Sequence, residues 1–401
     1  MITKVHGEVA VSDPGPSKIQ SVETLVVALP TRREHKWTGL TESIGRYVLV
    51  KMTDDSGNVG WGEAPALKDW GGEFGHYFGE STATVQLVIA RYLAPAAEGT
   101  PVGNIGLLHQ RMDAAIKGYP YAKAAMDCAA YDLAGRASGL PVHMLLGGAV
   151  RDAIPISHSI GLMEIEAGER EAAQVASEGV KTLKIKVGVE PARDVEMVRR
   201  VRAAVGPAIS LSVDANEGYK TPGEAIKTIR KMEAFDLIYV EQPVHGVERM
   251  AEVARAIDSP VMADESAWNS HDVVDIIERR AAQIVSIYTT KPGGLYRAME
   301  VAAVCRAAGI ICNVNGSAEL GIGSLANVAL AAAAPAVTLP SVFPVSTPAS
   351  AQRGQVGGIY YKDDIIVAAL DIRDGAIQIP TTPGLGIDVD LEKIEKYRVT
   401  D

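Results

Sequence analysis

The chain has 401 residues, of which 47% are hydrophobic and 22% charged, an ordinary globular composition with room for a barrel of about 250 residues plus a second unit. Its formal charge is −10 and it carries no basic run, which excludes nucleic acid and anionic membrane as expected partners. The three cysteines, Cys128, Cys305 and Cys312, lie in apolar runs without a CxxC pair, so buried thiols in a reducing compartment are expected and not a disulfide framework or a zinc site.

Residues 1–17 read as a loose tail. An apolar strand pattern over 19–30 leads into a polar loop, 31–38, that contains His35 and Trp37. Strand patterns at 46–53 and 59–63 follow, joined by the turn Asp54-Asp55-Ser56-Gly57-Asn58. A Gly- and aromatic-rich loop covers 69–79. Helical patterns then run near 81–94, 105–117 and 121–138, the last closed by Gly139 ahead of Pro141. Strands first and helices after indicate an α+β unit over 18–150.

From residue 154 the pattern alternates. Strand candidates are 154–160, 182–187, 209–214, 237–241, 260–264, 284–288, 310–315 and 337–342, with helix-like stretches between them. Eight parallel strands separated by helices indicate an α/β barrel of TIM type over 151–350. No clear helix follows the eighth. A strand pair at 358–361 and 365–370 and a Gly/Pro-rich end make up 351–401, a segment expected to return to the first unit.

Charged residues end several of these runs: Lys184 and Lys186 in TLKIKVG, Asp214 in LSVDAN, Glu241 in LIYVEQP and Asp264 in PVMADES. The gaps from Lys186 onward are 28, 27 and 23 residues, each about one strand, one helix and two loops. The charges therefore repeat once per β/α unit and gather at the face where parallel barrels carry their chemistry. Lys184 and Lys186 are two apart, so they share a face of their strand. Two ammonium groups inside a barrel need counter-charges, and the three acids supply them. Three carboxylates with no His or Cys in register favour Mg²⁺, with Mn²⁺ as the alternative, over zinc.

The chain resembles the enolase superfamily, specifically its muconate-lactonizing-enzyme-like and mandelate-racemase-like members. The resemblance rests on Pro141-Val142-His143-Met144-Leu145-Leu146-Gly147-Gly148, the KxK pair, Asp214-Ala215-Asn216, Glu241-Gln242-Pro243, Asp264-Glu265-Ser266, Lys291-Pro292-Gly293-Gly294 and Pro383-Gly384-Leu385-Gly386. It implies a modified (β/α)7β barrel under an α+β capping domain built from the N-terminal region and the last segment. It implies Asp214, Glu241 and Asp264 as metal ligands, Lys186 as acid/base and Lys184 as its electrostatic neighbour. Candidate substrate-binding residues are Asn216, Glu265, Lys291, Ser317 and Glu319 on the barrel, with His35 and Trp37 in the capping loop.

One position departs from the family pattern. A second catalytic lysine is usual in the muconate-lactonizing-like group twenty-four residues beyond the third metal ligand, and here Tyr288 stands there. Lys291, three residues along the strand, is expected on its other face. A phenol with an unperturbed pKa near 10 suits hydrogen-bond donation or acid catalysis better than proton abstraction. The expected function is therefore a Mg²⁺-dependent, muconate cycloisomerase-like isomerase or a lyase acting on a small carboxylate through an enediolate. The alternatives are a racemase, epimerase or dehydratase of an α-substituted or β-hydroxy acid, and a non-catalytic metal-binding barrel. The eighth-strand region 339–344 lacks the acidic pair that dipeptide epimerases use for an ammonium group, which disfavours a dipeptide. A cytoplasmic homo-oligomer with no nucleic-acid or membrane partner is expected, since no apolar run is suited to a membrane helix and no signal-peptide pattern opens the chain.

Overall fold

A computed structural model describes residues 17–32, 34–41, 43–70, 78–343 and 361–399. Most of the expected tail, most of the Gly-rich loop and residues 358–360 of the expected C-terminal strand pair lie outside the described residues. Strands β1 (Ile19–Ala28), β2 (Arg46–Asp54) and β3 (Val59–Pro65) form an antiparallel sheet in that order. Helix α1 (Thr82–Val88) runs through a π turn at Ile89–Leu93 into α2 (Ala94–Ala97), and α3 (Ile105–Ala115), α4 (Pro120–Ser138) and α5 (Val142–Leu145) follow. The Ala-rich α4 lies on β3, and the approach is close enough to require glycine. A Cβ on Gly62 would overlap the Ala125 carbonyl, and one on Gly60 the Ala129 carbonyl.

The run expected as one strand over 154–160 divides. β4 (Ala153–Pro155) pairs antiparallel with β13 (Ala376–Gln378), while β5 (Ser157–Ile160) opens the parallel sheet. That sheet continues in sequence order through β6 (Thr182–Lys186), β7 (Ser210–Asp214), β8 (Leu237–Glu241), β9 (Val261–Ala263), β10 (Ile284–Ile287) and β11 (Ile311–Val314). Helices α6 (Ile165–Ser177), α7 (Pro191–Val205), α8 (Pro222–Met232), α9 (Val247–Ala254), α10 (Ser270–Arg279), α11 (Leu295–Ala307) and α12 (Gly321–Ala333) alternate with the strands. The eighth strand expected over 337–342 is reduced to single parallel bridges. Val342 bridges Asn315 at one edge of the curled sheet, and Ser341 bridges Ile156 at the other. Pro340 has no N–H to donate and restricts Leu339, so a regular ladder does not form there. Two residues thus join the edges and close the barrel.

Of the expected C-terminal strand pair, the stretch 365–370 does not form a regular strand. Ile366 makes one bridge, to Val389, and among the described residues the strands of this segment are β12 (Ile372–Arg373) and β13, followed by α13 (Leu391–Tyr397). The segment returns to the N-terminal sheet and to α4. The Val399 N–H donates to Val26 O, and the Leu385 N–H to the Asp132 carboxylate, both at 2.8–2.9 Å.

Two acids from the N-terminal unit seat it on the barrel. Glu63 of β3 accepts the Leu320 and Gly323 N–H groups at the start of α12, at 2.7 and 2.9 Å. Asp127 of α4 accepts the Leu295 N–H at the start of α11, at 2.6 Å. The first N–H groups of a helix have no partner within it, so each carboxylate satisfies donors that would otherwise be buried unpaired. Glu63→Ala is expected to cost about 2–4 kcal/mol, because two buried donors lose their acceptor; urea unfolding of the variant against the wild type would measure it.

Candidate active site

Side chains two apart on a strand share a face, and the inward face of this barrel carries polar residues at successive strand ends. Lys184 and Lys186 stand on β6, Asp214 ends β7 and Glu241 ends β8. Asp264, Tyr288 and Asn315 each follow the last residue of their strands β9, β10 and β11. Asp214, Glu241 and Asp264 are buried and bring one oxygen each within 4.8 Å of the others. The set consists of hard carboxylate oxygens, and Glu241 Oε2 is buried without a hydrogen-bond partner. Both features fit a hard divalent cation.

Three ammonium groups balance the acids. Lys184 Nζ lies 3.0 Å from Asp214 Oδ2 and 2.9 Å from Glu241 Oε1. Lys186 Nζ donates to Asp214 Oδ2 at 2.6 Å and to Asn216 Oδ1 at 2.7 Å. Lys291 Nζ donates to Asp264 Oδ1 at 2.7 Å. Burial alone would push Asp214 up, but Lys184 and Lys186 offset it and hold the carboxyl well below the usual range. Burial would likewise push Lys184 down, and Asp214 and Glu241 reverse it, so its ammonium stays charged. Glu241 is the exception: burial, and then the charge of Asp214, push it up to about 8.

The position of Lys291 corrects the expectation that it would fall on the far face of a strand. Strand β10 stops at Ile287, and the chain turns through 289–294, which swings Lys291 back to Asp264. Its ammonium also donates to the carbonyls of Asp264 and Ser286 at 2.9 Å and lies 4.3 Å from the centre of the Tyr288 ring. Lys291 therefore braces an acid and does not line the cavity.

The cavity above the acids encloses about 550 Å³, counting its open mouth, and is lined by Lys184, Lys186, Asn216, Asp264, Tyr288 and Ser317 from the barrel. His35, Trp37, Leu67 and Trp70 line it from the N-terminal unit. Of the expected site residues, Glu265 and Glu319 stand behind this lining. Glu265 Oε1 accepts from Asn216 Nδ2 at 2.8 Å, and Glu319 Oε1 accepts the Ser317 N–H at 2.7 Å. Burial pushes Glu319 up to about 7, and burial with the charges of Asp264 and Asp214 raises Glu265 well above its ordinary value. Tyr288 shares the cavity with Lys186, and its hydroxyl donates to Asp264 Oδ2 at 3.0 Å. Burial and then the charge of Asp264 raise the phenol well above 10.

Leu67, Trp70 and Ser159 of the lining were not among the expected site residues, and three residues around the acids escaped the sequence reading as well. Asn315 donates to Glu241 Oε1 at 3.1 Å and lines the cavity, while Asn313, two residues before it, donates to Asn315. The spacing in ICNVN repeats that of the KxK pair and would have marked them. Gln242 Oε1 accepts the Asp264 and Ser266 N–H groups at 2.9 and 3.2 Å, which holds the loop after β9 against the end of β8. Only its place beside Glu241 hinted at this.

Residues 21–147 match the family described as mandelate racemase / muconate lactonizing enzyme, N-terminal domain, and residues 168–394 match the enolase C-terminal domain-like family. Muconate cycloisomerase 1 of Rhodococcus opacus is 30% identical over 94% of this chain and 98% of its own length. L-Ala-D/L-Glu epimerase of Bacillus subtilis is 31% identical over 92% of this chain and 96% of its own. Among solved structures, N-succinyl Arg/Lys racemase from Bacillus cereus superposes with a TM-score of 0.86 at 30% identity, covering 96% of this chain and 98% of that one. A dipeptide epimerase from Enterococcus faecalis, solved with Mg and the dipeptide L-Leu-L-Tyr, gives 0.83 at 28% identity over 92% and 99%.

A cation at the triad competes with the proton that Glu241 holds below about pH 8. Affinity for a divalent cation is therefore expected to rise from pH 6 to pH 8, with release of up to one proton per ion at the lower pH. Calorimetric titration in two buffers of different ionisation enthalpy would count the protons.

Proposed function

Because the chain belongs to the mandelate racemase / muconate lactonizing enzyme family of the enolase superfamily, we propose that it moves a proton α to a substrate carboxylate with Lys186 as its one acid/base, as a cycloisomerase-type isomerase or a carbon–oxygen lyase. The observation that carries this reading is Tyr288. Its hydroxyl donates to Asp264 Oδ2 at 3.0 Å, and a phenol of ordinary pKa near 10 is protonated at neutral pH, so it keeps its proton. A group that holds its proton can steer or donate to a substrate but cannot serve as a base on a second face.

Loss of an α-proton leaves two negatively charged oxygens, which water stabilises poorly. Mg²⁺ or Mn²⁺ held by Asp214, Glu241 and Asp264 would, when bound, supply most of the neutralising charge. Lys184, kept charged by Asp214 and Glu241, adds to it from within the barrel. Lys186 Nζ carries the proton, and Asn216, itself gripped by Glu265, sets the direction of that ammonium. Ser317, whose backbone is held by Glu319, and Asn315 offer neutral hydrogen bonds to the rest of the substrate. His35 and Trp37 complete the cavity from the capping side. Lys291 holds Asp264 in place.

Racemisation or epimerisation is the second reading, favoured by relatives of those names at 29–31% identity over more than nine-tenths of the chain. Reaction in D₂O separates the two. Enantiopure α-substituted carboxylates are expected to exchange with retention or to give ring-closed or eliminated products. Fast racemisation with deuterium entering both faces, abolished in Tyr288→Phe, would establish the second reading instead.

Asp214→Asn is expected to remove both cation binding and turnover while far-UV circular dichroism stays native. Lys186→Ala is expected to lose turnover by about 10²–10⁴-fold or more, as for a positioned acid/base, with cation affinity retained. Undiminished turnover in either variant would remove the assignment.

A further inference from the structure

We propose that the acid this enzyme takes is a monocarboxylate whose remainder beyond the leaving oxygen is uncharged and apolar or aromatic, unlike a diacid or a zwitterion; this rests on the enolising function above and selects its carbon–oxygen lyase form, since ring closure would need a second nucleophilic group on the substrate. The charged side chains that line the cavity among the described residues are Lys184, Lys186 and Asp264, and all three belong to the reacting end. They are also paired with one another or with neighbours there. The remaining described lining includes the His35 imidazole and the Tyr288 phenol, the small neutral groups of Ser159, Asn216, Asn315 and Ser317, and an apolar set of Trp37, Leu67, Trp70, Ala318 and Val342.

The apolar part is a fixed wall. Trp70 packs at 5.2 Å from Trp268 and 5.1 Å from Tyr288, centre to centre, with Tyr121 edge-on at 6.5 Å. Contacts with three rings hold this indole in the cavity wall, so a substrate meets its surface. Among the described lining residues, a second carboxylate would be stripped of water against indole and leucine with no Lys or Arg beyond the reacting end, and an ammonium group would find no Asp or Glu there. Desolvation without a partner opposes both. An aryl or branched aliphatic group gains from the same surface.

The test compares three probes on the Mg²⁺-loaded wild-type enzyme by calorimetry: 3-phenylpropionate, glutarate and phenylalanine. The aryl monocarboxylate is expected to bind at least about 10-fold more tightly than the diacid or the zwitterion. Trp70→Ala should cost 3-phenylpropionate about 10-fold and leave glutarate within about 3-fold. Leu67→Arg should reverse the order of these two acids by giving the diacid a partner. Glutarate or phenylalanine binding as tightly as 3-phenylpropionate to the wild type would overturn the proposal, whatever the variants do. Exchange of the α-proton in D₂O is read separately. A ranking as expected with no Lys186-dependent exchange by any bound acid would leave the tail preference standing and sink the enolising function.

Discussion

Six ionisable side chains meet inside one barrel, and their balance governs what the rest of the molecule can be. Asp214, Glu241 and Asp264 face Lys184, Lys186 and Lys291 at 2.6–3.0 Å in a buried space. Isolated charges in such a space are costly, and removing one partner of a buried pair strands the other. The cluster persists because Lys184 and Lys186 share β6, the three acids stand at the ends of β7, β8 and β9, and Lys291 is pinned in the turn after β10, which fixes the separations before any ligand arrives. The parallel ladder, the two-residue closure at Ser341 and Val342, and the capping acids Glu63 and Asp127 all hold that geometry. A barrel open between β5 and β11 would admit water to the cluster and weaken every interaction in it.

The centre was legible from sequence because strand alternation and β/α spacing are one-dimensional signals. Lys184, Lys186, Asp214, Glu241 and Asp264 end apolar runs at near-regular intervals, and the ends of parallel strands converge whatever the loops do. Asn313 and Asn315 carried the same signal in an uncharged form, which composition alone does not flag. Lys291 could not be placed by periodicity, because the strand stops at Ile287 and a turn erases the alternation beyond it. The eighth strand was overcalled for a related reason: its apolar residues promise a strand, but Pro340 removes a ladder donor in its middle. The capping contacts were the least legible. Glu63 sits in a strand pattern and gives no sign that its carboxylate will cap a helix 257 residues away.

Tyr288 shows how the charge balance limits chemistry. The three ammonium groups already match or exceed the charge of the acids, and a bound divalent cation would make the centre net positive. A further lysine at 288 would stand beside Lys291, whose ammonium lies 4.3 Å from the Tyr288 ring centre. In this chain that place is taken by a neutral aromatic ring, which accepts the Lys291 cation on its face and gives its one proton to Asp264.

The same phenol also sets the shape of the cavity, since its ring packs against Trp70. On the proposed function, this one residue bears on two properties at once: it would leave one side of the substrate without a base, and it adds apolar surface to the wall beside it. In the proposed reaction, single-face proton transfer and a preference for an uncharged remainder would be one consequence. An ammonium in place of the phenol would serve as a second base, and it would also put a charge against Trp70, where a carboxylate-bearing tail could find it. The residue at 288 thus couples the stereochemistry open to the enzyme with the kind of acid it can hold.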